Sequence, residues 1–533
     1  MTSTPAAPSR AAPREAGGGA LQVGELELTA LPAVIPAEPG YAGARFVLRM
    51  HDEPVGRLTI AARDGVLRVA EAVQRAVHGK EGDGLLGFLA RRAAERSPAG
   101  DDVIGRLWDE RTAEAEATTS LSVAVCTRDR PEGVARVLAS LESAVPAVEV
   151  LVVDNAPSNA ATREVTSRFP WARYEVQPEP GLDRARNRAL EKATGDIVAF
   201  ADDDVTVDAM WCHRLRRLFD ENPELTLVTG LVEPASLETQ AERWFEAYGG
   251  FGRGYEPRWI HAPGAATHSI AFAHANSGRY GTGANLAIRR EAALRLGGFD
   301  PALDVGTATR GGGDLEMMFR VLKGEGVIGY TPAAMVRHAH RRSWEELASQ
   351  IESWGSGMVA HLRRTARAHP DERAAVAALR GWLYGTWFAK RLLTSYLYAP
   401  FPRELIELEL RGSFRGSELY AEASRGQPAP RPTPSLRHRI PSGVTRTLRA
   451  EHSLGVDRGA LRLGDGGDAR VALHVQAGSR ALGVLEMQSV GGVIGGTRLR
   501  DAVAARWRRE LLGGDLALAR RRLSALIGMG VRG

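Results

Sequence analysis

Three consecutive carboxylates, Asp202, Asp203 and Asp204, follow an apolar run at residues 197–201. Like charges crowded at a strand end repel one another, and a divalent cation between them relieves that cost. Hard oxygen ligands suit Mg2+ or Mn2+, which bind through one or two carboxylates together with substrate phosphate oxygens. A diphosphate leaving group needs such a site, because negative charge grows on it as its bond to carbon breaks. The triplet can also be read as the acidic first turn of a helix at residues 209–219, and by itself it does not choose. Arg186 and Asn187 stand one turn into another helical segment, where they could reach a diphosphate or join a surface ion pair.

The elements that must position these groups alternate. Short apolar runs at 121–126, 148–153 and 197–201, with a further strand at 174–177, are separated by helical spacing over 132–143, 158–169 and 182–193. This predicts an α/β domain with a mainly parallel sheet covered by helices on both faces. In such sheets ligands collect at the carboxyl ends of strands. Thr127 and Arg128, Asp154 and Asn155, and the acidic triplet all fall there.

Five segments then occur in a fixed order over about 220 residues: SVAVCTRDRPEGVARVLASL, VEVLVVDNAPSN, GLDRARNRALEKATGDIVAFADDDV, GTGANLAIRREAALRLGGFDPAL and GGGDLEMMFRVLKGEGVIGYTPAAMVRHAH. Together they resemble the inverting, family 2-type glycosyltransferases with a GT-A, Rossmann-like fold. The resemblance implies a donor-contacting loop at Thr127 and Arg128 and a donor-binding helix carrying Arg186 and Asn187. It gives Asp154 a contact to the nucleotide base or ribose, and Asp203 one to the ribose or the metal. Asp202 and Asp204 become the outer acids of the metal motif, Asp204 the direct ligand, with His338 completing metal or diphosphate binding. Asp314 matches the catalytic aspartate and Glu316 the acid two residues later, which serves as the fallback base. The family usually carries an acid just before its catalytic aspartate, and here that position is Gly313. A carboxylate suits the task, since a sugar hydroxyl has a high pKa and must lose its proton as it attacks. His340, beside Arg341 and Arg342, reads as a surface residue, and His261, His268 and His274 lie in a Gly- and Ala-rich stretch that could form an acceptor lid.

The expected function is transfer of a sugar from a nucleotide-diphosphate donor to a hydroxyl acceptor, with Mn2+ or Mg2+ as cofactor. Two alternatives are a nucleotide-sugar-binding pseudo-enzyme or scaffold and a sugar nucleotidyltransferase. The latter is disfavoured because TRDRPEG lacks a Gly-rich loop with a downstream lysine. No nucleic-acid partner is expected.

At 533 residues the chain should hold several domains. The expected division is a disordered leader at 1–24, an α+β module at 25–118, the catalytic domain at 119–345, a helical extension at 346–426, a linker at 427–445 and a basic α+β module at 446–533. Setting Gly56 against Gly483 aligns Phe46, Leu48, Leu58 and Ile60 with Leu473, Val475, Leu485 and Met487, as a duplicated ββα unit would; chance alternation accounts for it equally well. Cys126 and Cys212 are the only cysteines, so no disulfide framework exists and a cytoplasmic compartment is the default. Residues 425–533 hold 19 arginines and 8 acids, a net of +11, which leaves −6 on the rest of a chain of net charge +5. Such a tail could hold the enzyme at the inner membrane face, near a lipid-linked or polymeric glycan acceptor.

Overall fold

The computed structural model describes residues 19–96, 103–109, 116–261, 277–397, 402–436, 447–453, 459–463, 468–477 and 480–529. His268, His274, residues 1–18 of the expected leader and residues 437–445 of the expected linker lie outside them.

The first module contains β1 (Ala20–Glu27), β2 (Ile35–Pro36), β3 (Tyr41–Met50), β4 (Glu53–Ala61) and β5 (Val66–Leu67), then α1 (Val69–His78), α2 (Asp83–Arg96) and α3 (Val103–Asp109). Strand β1 begins inside the stretch expected to be leader. Its alternation is weak in sequence, and pairing in parallel with β3 is what makes it a strand.

The central domain follows: β6 (Leu121–Thr127), α4 (Pro131–Leu141), β7 (Glu149–Asn155), α5 (Ala161–Thr166), β8 (Ala172–Gln177), α6 (Leu182–Lys192), β9 (Ile197–Asp202), β10 (Val205–Val207), α7 (Trp211–Glu221), β11 (Leu225–Pro234), α8 (Gln240–Tyr248), β12 (Arg258–His261), β13 (Asn285–Arg289), α9 (Arg290–Arg295), α10 (Gly313–Lys323) and β14 (Val327–His338). Its nine strands form one mixed sheet in the order β10-β14-β11-β13-β9-β6-β7-β8, with β12 on β14. Strands β9, β6, β7 and β8 run parallel, and β13 is antiparallel to both its neighbours. Every residue of β6 is buried, as expected for a strand with helices on both sides. Alternate side chains feed two cores: Val123 and Val125 join Val137 of α4 and Trp211 of α7, while Ala124 and Cys126 join Ala189 of α6 and Met318 of α10.

The helical extension comprises α11 (Trp344–Ala368), α12 (Arg373–Trp382), α13 (Ala389–Leu397) and α14 (Arg403–Ala423). Ser343 and Glu346 form a capping box that starts α11. Helices α11 and α14 touch backbone to backbone. A Cβ on Gly355 would lie 1.9 Å from the carbonyl oxygen of Glu409, and one on Gly412 1.9 Å from that of Glu352.

The last module has β15 (Thr447–Ser453), β16 (Leu461–Arg462), β17 (Arg470–Ala477), β18 (Arg480–Gln488), β19 (Val493–Ile494), α15 (Gly496–Leu511) and α16 (Leu516–Met529). It repeats the first in element order and strand pairing. Strands β15-β17-β18 match β1-β3-β4, and the short pair β16-β19 matches β2-β5. Register matches too: Phe46 faces Leu58 and Leu48 faces Gly56, as Leu473 faces Leu485 and Val475 faces Gly483. The two modules close on each other, α15 against α2 and α16 against α1, so that Phe46, Val73 and Leu89 share one core with Leu473, Val503 and Trp507.

Candidate active site

Register assembles the site. Cys126 pairs with Asp202 and Thr127 with Asp154 across the parallel strands, which brings the ends of β6, β7 and β9 to one edge. The turn at Asp203 and Asp204 then leads into β10, where Val205 pairs with His338 at the end of β14.

Asp203 is buried and accepts hydrogen bonds from the Thr127 hydroxyl (2.8 Å) and Arg130 (2.9 Å). Asp204 faces His338, with Oδ1 to Nε2 at 3.4 Å, while Arg130 and Arg341 approach its other oxygen at 3.5 and 3.6 Å. Asp202 turns away from this pair toward Arg186 (3.3 Å). Burial raises the Asp202 carboxyl to about 7, against the opposing pull of Arg186. No cluster of three metal-ligating side chains forms among the described residues; of the expected Asp202, Asp204 and His338, the last two lie together and Asp202 does not join them.

Burial lowers His338 to about 4, so its imidazole is neutral at physiological pH. Its Nδ1 meets Nδ1 of His340 at 3.0 Å, and Nε2 of His340 meets Glu246 at 3.0 Å. When His340 is neutral and donates to that carboxylate, its Nδ1 must accept the proton of His338 Nδ1. The lone pair of His338 Nε2 then points toward Asp204. Donors about 2.1 Å from an octahedral ion lie about 3 Å apart, so this pair fits a divalent cation whose remaining positions go to water or phosphate oxygens. His340, expected on the surface, is thus a buried part of the site, and Glu246 is held in turn by Arg45 of β3 at 2.7 Å.

Other expected donor contacts divide. Asp154 is fully buried, accepts from the Tyr174 hydroxyl (2.8 Å) and leaves its second oxygen without a partner; burial raises its carboxyl. An orphaned acceptor at a strand's carboxyl end is what a nucleoside hydroxyl or amide would satisfy. Arg186 is buried between Asp183 and Asp202, both at 3.3 Å, with Phe200 and Phe299 against its guanidinium. Arg128 is half exposed and near only its neighbour Asp129 (3.9 Å); Arg130, two residues on, faces the triplet instead. Asn187 is not free for a donor. Its amide donates to the Phe299 carbonyl (2.9 Å) and accepts from the Phe299 N–H (2.6 Å), which fixes a loop to α6.

Asp314 opens α10 behind a left-handed Gly312 (φ 110°), and its Oδ2 accepts from the N–H of Gly283 at 2.8 Å. Glu316 is engaged by arginines. It is fully buried, bonded to Arg320 at 2.6 and 2.8 Å and ion-paired with Arg364 of α11. Burial pushes its carboxyl up, but the two arginines outweigh that and hold it low. The glycine at 313 has a steric cause: a Cβ there would lie 1.8 Å from Oδ2 of Asp183. That carboxylate, buried and raised by burial with a further push from Asp304, fills the space a side chain at 313 would need.

Residues 122–293 match the family model Glycosyl transferase family 2. The central domain belongs to glycosyl transferase family 2. Its mixed sheet and carboxyl-edge site have the GT-A form. The chain is similar to the pre-mycofactocin glycosyltransferase of Mycobacterium tuberculosis, 25% identical over 333 residues, 57% of this chain and 65% of that one. It therefore spans less than two thirds of that relative's length. It is also similar to the succinoglycan biosynthesis protein ExoM of Rhizobium meliloti, 28% identical over 275 residues, 50% of this chain and 81% of that one. Among solved structures, the mannosyltransferase PcManGT of Pyrobaculum calidifontis, in complex with GDP-Man and Mn2+, aligns with TM-score 0.39 at 17% identity, over 65% of this chain and 99% of that one.

Proposed function

We propose that this glycosyltransferase moves a sugar from a nucleotide-diphosphate donor to a hydroxyl acceptor in one inverting displacement, with Asp314 as base. The observation that carries this reading is the division of labour at the carboxyl edge. Asp204 and His338 converge to 3.4 Å, while Asp314, held by a single backbone amide from outside its own helix, sits at the opening of α10.

The acceptor oxygen attacks the anomeric carbon as that carbon's bond to the diphosphate oxygen breaks. The acceptor proton passes to Asp314, and the nucleoside diphosphate departs with the electron pair. A divalent ion held by Asp204 and His338 would supply charge neutralisation for the leaving diphosphate. Asp154 binds the nucleoside, and Arg186, fixed by its two carboxylates and two rings, presents positive charge beside Asp314. The likeness to a succinoglycan biosynthesis protein supports a glycan acceptor.

A thermal-shift screen of nucleoside diphosphates with and without Mn2+ tests the donor class; selective, metal-dependent stabilisation by one nucleotide is expected. Asp314→Asn should then lower kcat by about 10^2- to 10^4-fold while that stabilisation persists. Unchanged turnover would remove Asp314 from the base role.

A further inference from the structure

One face of the helical extension differs from the rest of the surface. Eleven large hydrophobic side chains are strongly exposed among the described residues, and five of them lie here: Trp387, Leu393, Tyr396, Leu397 and Phe414. Leu393, Tyr396 and Leu397 are 64, 65 and 71% exposed. Their spacing of three and four residues on α13 puts them on one side of the helix. Isolated surface leucines need no explanation, but a clustered set does.

The charge around this face narrows what can cover it. Residues 373–403 contain five cations and no aspartate or glutamate. Arg403 lies over the Tyr396 ring at 3.7 Å, and Arg391, which also pairs with Glu409 at 3.5 Å, lies over Trp387 at 4.8 Å. Aromatic rings with cations beside them and leucines projecting outward match the interfacial layer of a bilayer, where the leucines enter the acyl boundary and the cations meet anionic headgroups. No helix among the described residues is long and apolar enough to cross a membrane, so such a face lies on the bilayer. The basic last module, the anchor expected from net charge, is less suited. Its Arg498, Arg500, Arg508 and Arg520 are paired with Glu224, Glu221, Glu256 and Asp83.

We infer that the exposed α13 face of the helical extension docks onto an anionic lipid bilayer. This stands on surface composition and does not require the donor chemistry proposed above. A run of ring contacts joins the face to His338 of the candidate site: Arg391 lies over Tyr248 (3.9 Å), Tyr248 against Trp354 (6.3 Å), Trp354 against Phe251 (5.7 Å) and Phe251 against His338 (4.9 Å). Docking through α13 fixes how the candidate site stands relative to the bilayer.

The test is sedimentation of the full chain with phosphatidylcholine vesicles, alone or with about one third phosphatidylglycerol. The wild type should pellet with the anionic vesicles. Leu393→Glu/Leu397→Glu should lose about tenfold or more in partitioning, while Arg506→Glu/Arg521→Glu, on the last module, should keep most of it. Retained thermal stabilisation by nucleotide in the α13 variant shows that its fold and donor site are intact. Three results overturn the inference: no binding by the wild type, loss of binding in the last-module variant while the α13 variant still pellets, or a dimer in solution that the α13 substitutions disperse.

Discussion

Two regions of this protein handle buried acids in opposite ways. At the carboxyl edge of the central sheet, Asp154, Asp183, Asp202 and Asp203 are all raised, burial being the largest cause at each. Where the flanking modules grip the central domain, burial pushes Glu25, Glu53 and Glu221 up as well, yet arginines outweigh it and hold all three low. Glu233 and Asp501 depart from that pattern at the seams, both raised by burial; their short hydrogen bonds come from Tyr255 and Trp259, and their nearest arginines stand at 3.8 Å. Apart from those two, these seam acids are matched by arginines. The carboxyl edge holds more negative charge than its arginines balance, a surplus that suits a cation or a proton as its missing partner.

Glu316 sharpens this contrast most, because it sits two residues from Asp314 yet belongs to the arginine-matched kind. Glu316→Gln leaves Arg320 and Arg364 buried without their carboxylate, which should cost about 3–5 kcal/mol in urea unfolding. Asp314→Asn, by comparison, should unfold close to the wild type. A Glu316→Gln protein as stable as the wild type but unable to turn over would return the base role to Glu316.

The same distinction explains what was readable in the sequence. The parallel strands announce themselves as apolar runs, and the polar residues after them follow from chain order, so Thr127, Asp154 and the triplet were placed correctly at the carboxyl edge. Partners supplied by distant segments were not readable. Glu316 looks like a spare base until Arg364 arrives from α11. Asn187 looks like a donor ligand until both sides of its amide engage Phe299, and His340 looks exposed until α8 brings Glu246 to it. Asp183 carried no signal beyond its place in α6, though the glycine at 313 marked a position where something else needed the room. The repeated modules gave a usable signal, since the aligned residues fall in matching register, but their shared core depends on a contact between opposite ends of the chain.

The His338–His340–Glu246 run crosses from the unbalanced region to a module seam, because Arg45 and Arg57 of the first module hold Glu246 at 2.7 and 3.5 Å. Glu246→Gln keeps the shape but weakens the acceptor that orients both imidazoles. Mn2+ affinity, read by the EPR signal of free ion, should fall about 10- to 100-fold. An unchanged affinity would cut the first module's link to the metal pair.

pH probes the surplus charge directly. The folded Asp202 carboxyl lies at about 7 against 3.8 for its ordinary value, so the fold binds this proton more tightly than the unfolded chain does. Its contribution is therefore fully present below about pH 4 and is lost as pH rises toward 7. A cation beside the ionised triplet offsets that loss, and protons compete with it. The rise in Tm on adding Mn2+ should accordingly be larger at pH 8 than at pH 6, with apparent affinity changing by less than the roughly tenfold per pH unit that direct ligation by Asp202 would give. A flat profile would mean that Asp202 does not sense the ion.

The smallest effect is expected at a seam. Glu221 ends α7, where it accepts from Arg217 (2.6 Å) and meets Arg500 and Thr497 at the start of α15. Its side chain keeps 23% exposure, so solvent screens the pairs and relaxes around a lost one. Glu221→Gln retains an oxygen that can still accept from either arginine, which limits the cost to about 1 kcal/mol. Differential scanning calorimetry should show a modest fall in Tm, larger at low salt than at high salt, and Mn2+ affinity should not move. If affinity fell with it, strain at the module seam would be reaching the carboxyl edge through α7 and β10, and the two regions would have to be treated as one electrostatic unit.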